Sequence, residues 1–199
     1  MNPAITSTTL VNTLASRSES STAIRFASAL FITALTAAAA QISVPLPFTV
    51  VPFTFQPMIL LLGGLALGSR LGFLSQVMYL AAGIAGLPVF AASPELPSGA
   101  LRMIGPTGGY LMSYPLAAFI AGYFAERGFD RHYVKSWLAM SIGLVVIFAG
   151  GCGWLALSVG LPAALATGVY PFVLADLMKL LVAAGVLPGM WRLIGRASR

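Results

Sequence analysis

The sequence predicts an all-α integral membrane protein of six transmembrane helices with both termini in the cytoplasm, and three observations carry that reading. Hydrophobic residues make up 58% of the chain and charged residues 8%, with a mean hydropathy of +0.92, whereas a soluble domain carries about 25% charged residues. The apolar residues fall into six segments divided by polar, Pro or Gly punctuation, each near the length of about 20 residues that a membrane helix needs. The basic residues crowd into alternate connections between those segments.

Taken in order, residues 1–22 are rich in Ser, Thr and Asn and lack an apolar period, so they are expected to form a polar N-terminal tail. A transmembrane domain then occupies residues 23–193, with spans at 23–42, 55–68, 71–87, 108–125, 136–158 and 168–191, and residues 194–199 form a basic tail. The second span is short, because Pro45, Pro47, Pro52 and Pro57 exclude a regular helix through residues 45–57. Residues 29–35 followed by the small residues 36–41 also have the form of a signal-peptide core and cleavage site. The apolar run through Ile42 is nevertheless long enough to span, and the other five segments keep the same orientation either way.

With the N-terminus inside, Arg17, Arg25, Arg70, Arg127, Arg131, Lys135, Arg192, Arg196 and Arg199 are all cytoplasmic, and only Arg102 lies outside. This bias accounts for the net charge of +6 without any nucleic-acid partner and sets an even number of spans with both termini in the cytoplasm. Lys179 remains inside a span. Small residues recur at four-residue spacing as Ala29, Thr33 and Ala37, beside Ala34 and Ala38, and as Gly64, Gly68 and Gly72. Such faces permit close helix approach, either within the bundle or, for the first span, against another membrane subunit. Cys152 is the one cysteine and lies in an apolar stretch, as a packing residue does.

Asp176 and Lys179 are the most informative pair, since an ionisable side chain deep in a span costs roughly 3 kcal/mol and persists where it is paired or functional. Three residues apart, they share a helix face and partly neutralise each other. Asp176 is placed roughly 12 Å below an outer end at Gly168, at about 1.5 Å per residue. A structural ion pair, the polar floor of a solute pocket and a proton relay all fit this placement. A second constellation is Gly105-Pro106-Thr107-Gly108-Gly109-Tyr110, where the backbone N–H groups of Gly108 and Gly109 at a helix start can receive an anionic or carbonyl group. A plain turn is the simpler account of the same glycines. The preceding loop, residues 89–104, has the length and prolines of a lid, with Tyr79, Phe90 and Tyr110 available as apolar walls. Gln56 sits where the Pro-rich segment enters the second span, as a backbone cap or a solute contact.

Other chemistries are excluded. Residues 63–70 (GGLALGSR) share glycine spacing with a phosphate-binding loop but lack its Lys-Ser/Thr. His132 is the only histidine, so neither an HExxH motif nor a histidine-rich metal site can be assembled. No resident cofactor is expected.

The order of Pro52-x-Thr54-x-Gln56, Gly86-Leu87-Pro88-Val89-Phe90, Gly105-Pro106-Thr107-Gly108-Gly109-Tyr110 and Asp176-x-x-Lys179 resembles the BioY family, the biotin-specific S components of energy-coupling-factor (ECF) transporters. The resemblance runs from about Arg25 to Leu193. It implies a six-helix, outward-opening S-component bundle that captures biotin, with Asp176 and Lys179 among its polar contacts and no enzymatic activity. It also implies that Ala34 and Ala38 dock on a transmembrane coupling subunit carrying two ABC-type ATPases, and it leaves a homo-oligomer open. Two segments depart from the family: residues 91–99 (AASPELPSG) replace a glycine-rich stretch, and Leu174-Ala175 replaces a Pro-Gly. No ligand contact is therefore carried onto residues 91–99. An S component for another vitamin and a stand-alone proton-coupled carrier are the competing readings.

Overall fold

The computed structural model describes residues 9–16, 20–93 and 96–197; Arg17, Arg199 and residues 1–8 of the predicted tail lie outside them. The described chain is largely helical. Among the described residues, three helices are long and apolar enough to cross a membrane: Ser21–Gln41, Tyr133–Val159 and Tyr170–Ile194. Gln56–Leu67 is a shorter apolar helix.

The N-terminal segment corrects the first expectation. Leu10–Ala15 is a short helix, α1, with Thr9, Leu10, Val11 and Ala15 buried. The Thr9 hydroxyl donates to the Leu67 carbonyl at 3.4 Å. Four apolar residues in a short polar stretch are too few to show a period, yet the three that are buried, Leu10, Val11 and Ala15, seat this turn on its neighbours.

Helix α2 (Ser21–Gln41) packs on α3 (Gln56–Leu67) and α4 (Ser69–Ile84). The Thr33 hydroxyl donates across to the Ser75 carbonyl at 2.8 Å, fixing α2 against α4. Between α2 and α3 the prolines do exclude helix, and the chain makes an antiparallel hairpin of β1 (Ser43–Leu46) and β2 (Thr49–Thr54). Its register pairs Ser43 with Thr54 and Leu46 with Thr49, and the irregularity between Val44 and Leu46 falls at Pro45, which has no N–H for the ladder. The alternation in this segment is too short and proline-broken to announce a strand, so the hairpin was absent from the sequence reading.

Helices α3 and α4 are separated only by Gly68, whose φ of +88° lies in the left-handed region that favours glycine. After a loop containing the single turn α5 (Leu101–Ile104), α6 (Gly108–Ala125) runs through the centre of the bundle against α3, α4 and α7 (Tyr133–Val159). The Gly64, Gly68 and Gly72 face is where α6 approaches most closely. Any Cβ at Gly64 would meet the Ala118 backbone, and one at Gly122 would meet Gly68. This glycine face therefore packs within the bundle. The Glu126 carboxylate, just past α6, accepts from the Ser69 N–H at 2.8 Å and the Ser69 hydroxyl at 2.7 Å, capping α4.

The last predicted span, residues 168–191, overlaps the candidate membrane helix Tyr170–Ile194, which is divided near Ala184 and Gly185 and preceded by a further helix. Residues from 161 to 168 form a separate helix, α8 (Leu161–Gly168), and the following pieces are α9 (Tyr170–Ala183) and α10 (Val186–Ala197). Gly160, with φ of +79°, ends α7, and Pro162 and Pro171 each sit in the first turn of the next helix, where a missing N–H costs nothing. Helix α10 continues to Ala197, so the expected C-terminal tail is helical through that residue.

Arg70, Arg127, Arg131, Lys135 and Arg192 all belong to one end of this bundle, at the starts of α4 and α7, the end of α6 and in α10. The hairpin, the loop with Arg102 and the α7–α8 turn occupy the other.

Candidate functional site

At the hairpin end a cavity is lined by β2, the start of α3, Phe90, Ala91, Arg102 and Thr107 of the connection between α4 and α6, and by α6, α7 and α9. Its walls are largely apolar and aromatic, with Val51, Phe90, Tyr110, Leu111, Ile147 and Phe172 among them. Its polar groups are few: Thr54, Gln56, Arg102, Thr107 and Asp176. This composition is that of a small-molecule site, in which an apolar body orients against fixed polar groups.

Asp176, Gln56 and Arg102 are held from behind. The Lys179 ammonium lies 2.5 Å from the Asp176 carboxylate. It also donates to the Thr54 carbonyl at 2.6 Å and sits 3.9 Å from the Phe53 ring centre, a cation–π arrangement. Asp176 thus faces the cavity while Lys179 turns to the hairpin. The Gln56 amide donates to the Tyr79 hydroxyl at 2.5 Å, and Tyr79 in turn donates to the Val89 carbonyl at 3.1 Å. That chain links the α3 start to the loop across α4.

The loop lies closed on the cavity. Phe90 is buried edge-on to Tyr79, with ring centres 5.6 Å apart, and it fills the space beside Gly83 that any larger residue would take. Arg102 is buried, and its guanidinium donates to the Ala91 carbonyl at 2.8 Å and the Pro97 carbonyl at 3.4 Å. Two buried polar atoms here have no protein partner, the Arg102 Nε and the Thr107 hydroxyl oxygen. An unpaired buried polar atom costs about 1–3 kcal/mol.

Of the residues singled out from sequence, Gln56, Phe90, Tyr110 and Asp176 come together on the cavity wall. Tyr79 and Lys179 stand one layer behind, bonded to Gln56 and Asp176. Gly108 and Gly109 do not line it. The Gly108 N–H bonds the Gly105 carbonyl at 3.0 Å. Gly109 packs against Trp154 and the Gly150 carbonyl, where a side chain would collide. Tyr110 carries the motif into the cavity, its hydroxyl donating to the Gly168 carbonyl at 2.8 Å. Sequence reasoning missed Arg102, Thr107 and Tyr114 as lining residues. Arg102 did leave a signal: it was the one cation assigned to the outer side, against the charge bias, next to the motif. Ala34 and Ala38 lie together on the exposed face of α2, away from the cavity.

A family model, that of the BioY family, matches residues 11–196. The chain belongs to the BioY family. Among its relatives, the probable biotin transporter BioY of Pyrococcus horikoshii is 43% identical over 155 residues, covering 78% of this chain and 88% of the relative. The biotin transporter BioY of Thermotoga maritima is 40% identical over 154 residues, covering 76% and 86%. A crystal structure of the S-component for biotin from an ECF-type ABC transporter superposes on this BioY-family chain with a TM-score of 0.78, over 88% of this chain and 94% of that one. At 21% identity the superposition establishes a shared fold. With its apolar helices, this BioY-family chain is a multi-pass membrane protein.

Proposed function

We propose that this BioY-family protein is a biotin-binding S component: a substrate-capturing transporter subunit, not an enzyme, that takes biotin at the outer face of a bacterial cytoplasmic membrane. In this reading six spans carry the chain across, both termini are cytoplasmic, and the hairpin end faces outward. The observation that carries it is the Asp176 carboxylate, held by Lys179 at 2.5 Å, on the wall of an otherwise apolar cavity.

Biotin combines a neutral ureido group, an apolar bicycle and tail, and a carboxylate. Asp176 accepts from a ureido N–H, the apolar wall covers ring and tail, and the unpartnered atoms of Arg102 and Thr107 supply donors for an oxygen of the ligand. Ala34 and Ala38 leave a flat strip on α2 for a transmembrane coupling subunit, whose two ABC-type ATPases drive reorientation and inward release.

The test is equilibrium binding of labelled biotin to detergent-purified protein beside an Asp176→Asn variant of verified thermal stability. Saturable binding that the variant loses is expected. No binding by folded wild type, with binding of thiamine or riboflavin instead, would transfer the assignment to another vitamin.

A further inference from the structure

The opposite end of the molecule carries a second and larger cavity, about 660 Å³, between the start of α7 and α10. One wall is Arg131, His132 and Lys135, and the other carries Arg192. No carboxylate lines it among the described residues. The nearest acid in sequence, Asp130, is buried and accepts the Trp191 indole N–H at 2.6 Å, so its carboxylate is turned into the protein. Lys135 rests 5.7 Å from the Phe129 ring, a contact that positions a cation without removing its charge, and Arg131 lies over Trp191 at 4.6 Å. Lys135 and Arg192 are themselves exposed.

The floor is built differently. Gly185 and Gly189 contribute no side chain, and at Gly189 the space a Cβ would enter is open. Tyr133 closes one flank by donating its hydroxyl to the Leu181 carbonyl at 2.7 Å. From this basic recess two exposed apolar ladders run along the bundle: Val134, Leu138, Ile142 and Val145 on α7, and Leu174, Met178 and Val182 on α9. Val134 and Leu138 belong to the recess itself. Concentrated positive charge therefore continues directly into lipid-facing apolar surface.

We infer that this recess binds the phosphate headgroup of an anionic phospholipid, with Lys135 and Arg192 on the phosphate and the acyl chains along the α7 and α9 ladders. A free anion would use the basic part alone; only a lipid uses both parts together. The site is independent of the solute held at the hairpin end.

The experiment is native mass spectrometry and thermal unfolding of the full chain in neutral detergent, with phosphatidylglycerol or phosphatidylcholine of identical acyl chains. Wild type is expected to retain, and be stabilised by, phosphatidylglycerol in preference. Lys135→Gln and Arg192→Gln are each expected to weaken that preference about five-fold, whereas Arg25→Gln on α2 leaves it intact. Melting without added lipid verifies that each variant folds, and the single variants carry the comparison if the double one does not. Equal retention of the two lipids by wild type, or an undiminished preference in both folded single variants, would overturn the proposal. Complete displacement of the lipid by excess inorganic phosphate would do so too, by reassigning the recess to free anions.

Discussion

The Lys179 ammonium donates to the Thr54 carbonyl at 2.6 Å across 125 residues of sequence, so the same cation that neutralises Asp176 also fastens the hairpin to α9. Lys179→Met is expected to lower thermal stability by about 3–5 kcal/mol, because it leaves the Asp176 charge buried and alone. Adding Asp176→Asn should restore part of that stability without restoring biotin binding. A double-mutant cycle in detergent measures the coupling; strictly additive effects would mean that the pair does not act as a unit.

Tyr79→Phe removes the hydroxyl that receives the Gln56 amide and holds the Val89 carbonyl. A cost of about 1–3 kcal/mol is expected from the two partners left unpaired. Hydrogen exchange in residues 86–93 should accelerate while α6 stays protected. Unchanged exchange there would assign the loop's closure to Phe90 alone.

Gly109 separates packing from ligand contact. Gly109→Ala is expected to destabilise by about 1–3 kcal/mol through collision with Trp154 and Gly150, with biotin affinity in the folded fraction unaltered. A large affinity loss at unchanged melting temperature would return Gly109 to the ligand site.

Substituting Ala34 and Ala38 by Leu should leave labelled-biotin binding intact, since both lie on the exposed face of α2. Co-purification of ATPases from the native membrane should fall sharply. Equal recovery of those subunits would place the docking surface elsewhere.

Asp130, in the connection before α7, is fully buried, and burial raises its carboxyl above the ordinary carboxylate value, with the Trp191 indole and Arg131 opposing. Because the folded state holds this proton more tightly than the unfolded chain, the ionised carboxylate disfavours folding. That penalty is absent below the unfolded value and grows as pH rises through the raised folded one. The melting temperature of Asp130→Asn minus that of wild type is therefore expected to increase as pH rises from about 4 toward neutrality. A pH-independent difference would remove Asp130 from the acid response.

Much of the helical core was legible because its signal is a length of apolar chain. The fourth span coincides with α6, and the first, second, third and fifth differ from α2, α3, α4 and α7 by three residues or fewer at each end. The Asp176–Lys179 contact was legible for a related reason: two ionisable groups in a span must meet each other, and helical spacing places them together. What escaped depends on tertiary packing. The hairpin has no unbroken alternation, α1 is a single buried turn in a polar stretch, and Gly108 and Gly109 read as a plain turn or an anion-binding helix start until Trp154 is seen against the second of them. Arg102 looked like a stray loop charge because the groups that bury it, the Ala91 and Pro97 carbonyls, are in a loop without sequence periodicity.

The loop over the cavity is fastened by bonds internal to the protein: Tyr79 to Val89, Arg102 to Ala91, and Phe90 against Gly83. A cover secured in this way is a clock. If a solute occupies the cavity as proposed, its escape would wait for the protein to release these fastenings, its dwell time would follow how often the loop opens, and chemically different occupants would leave at similar rates.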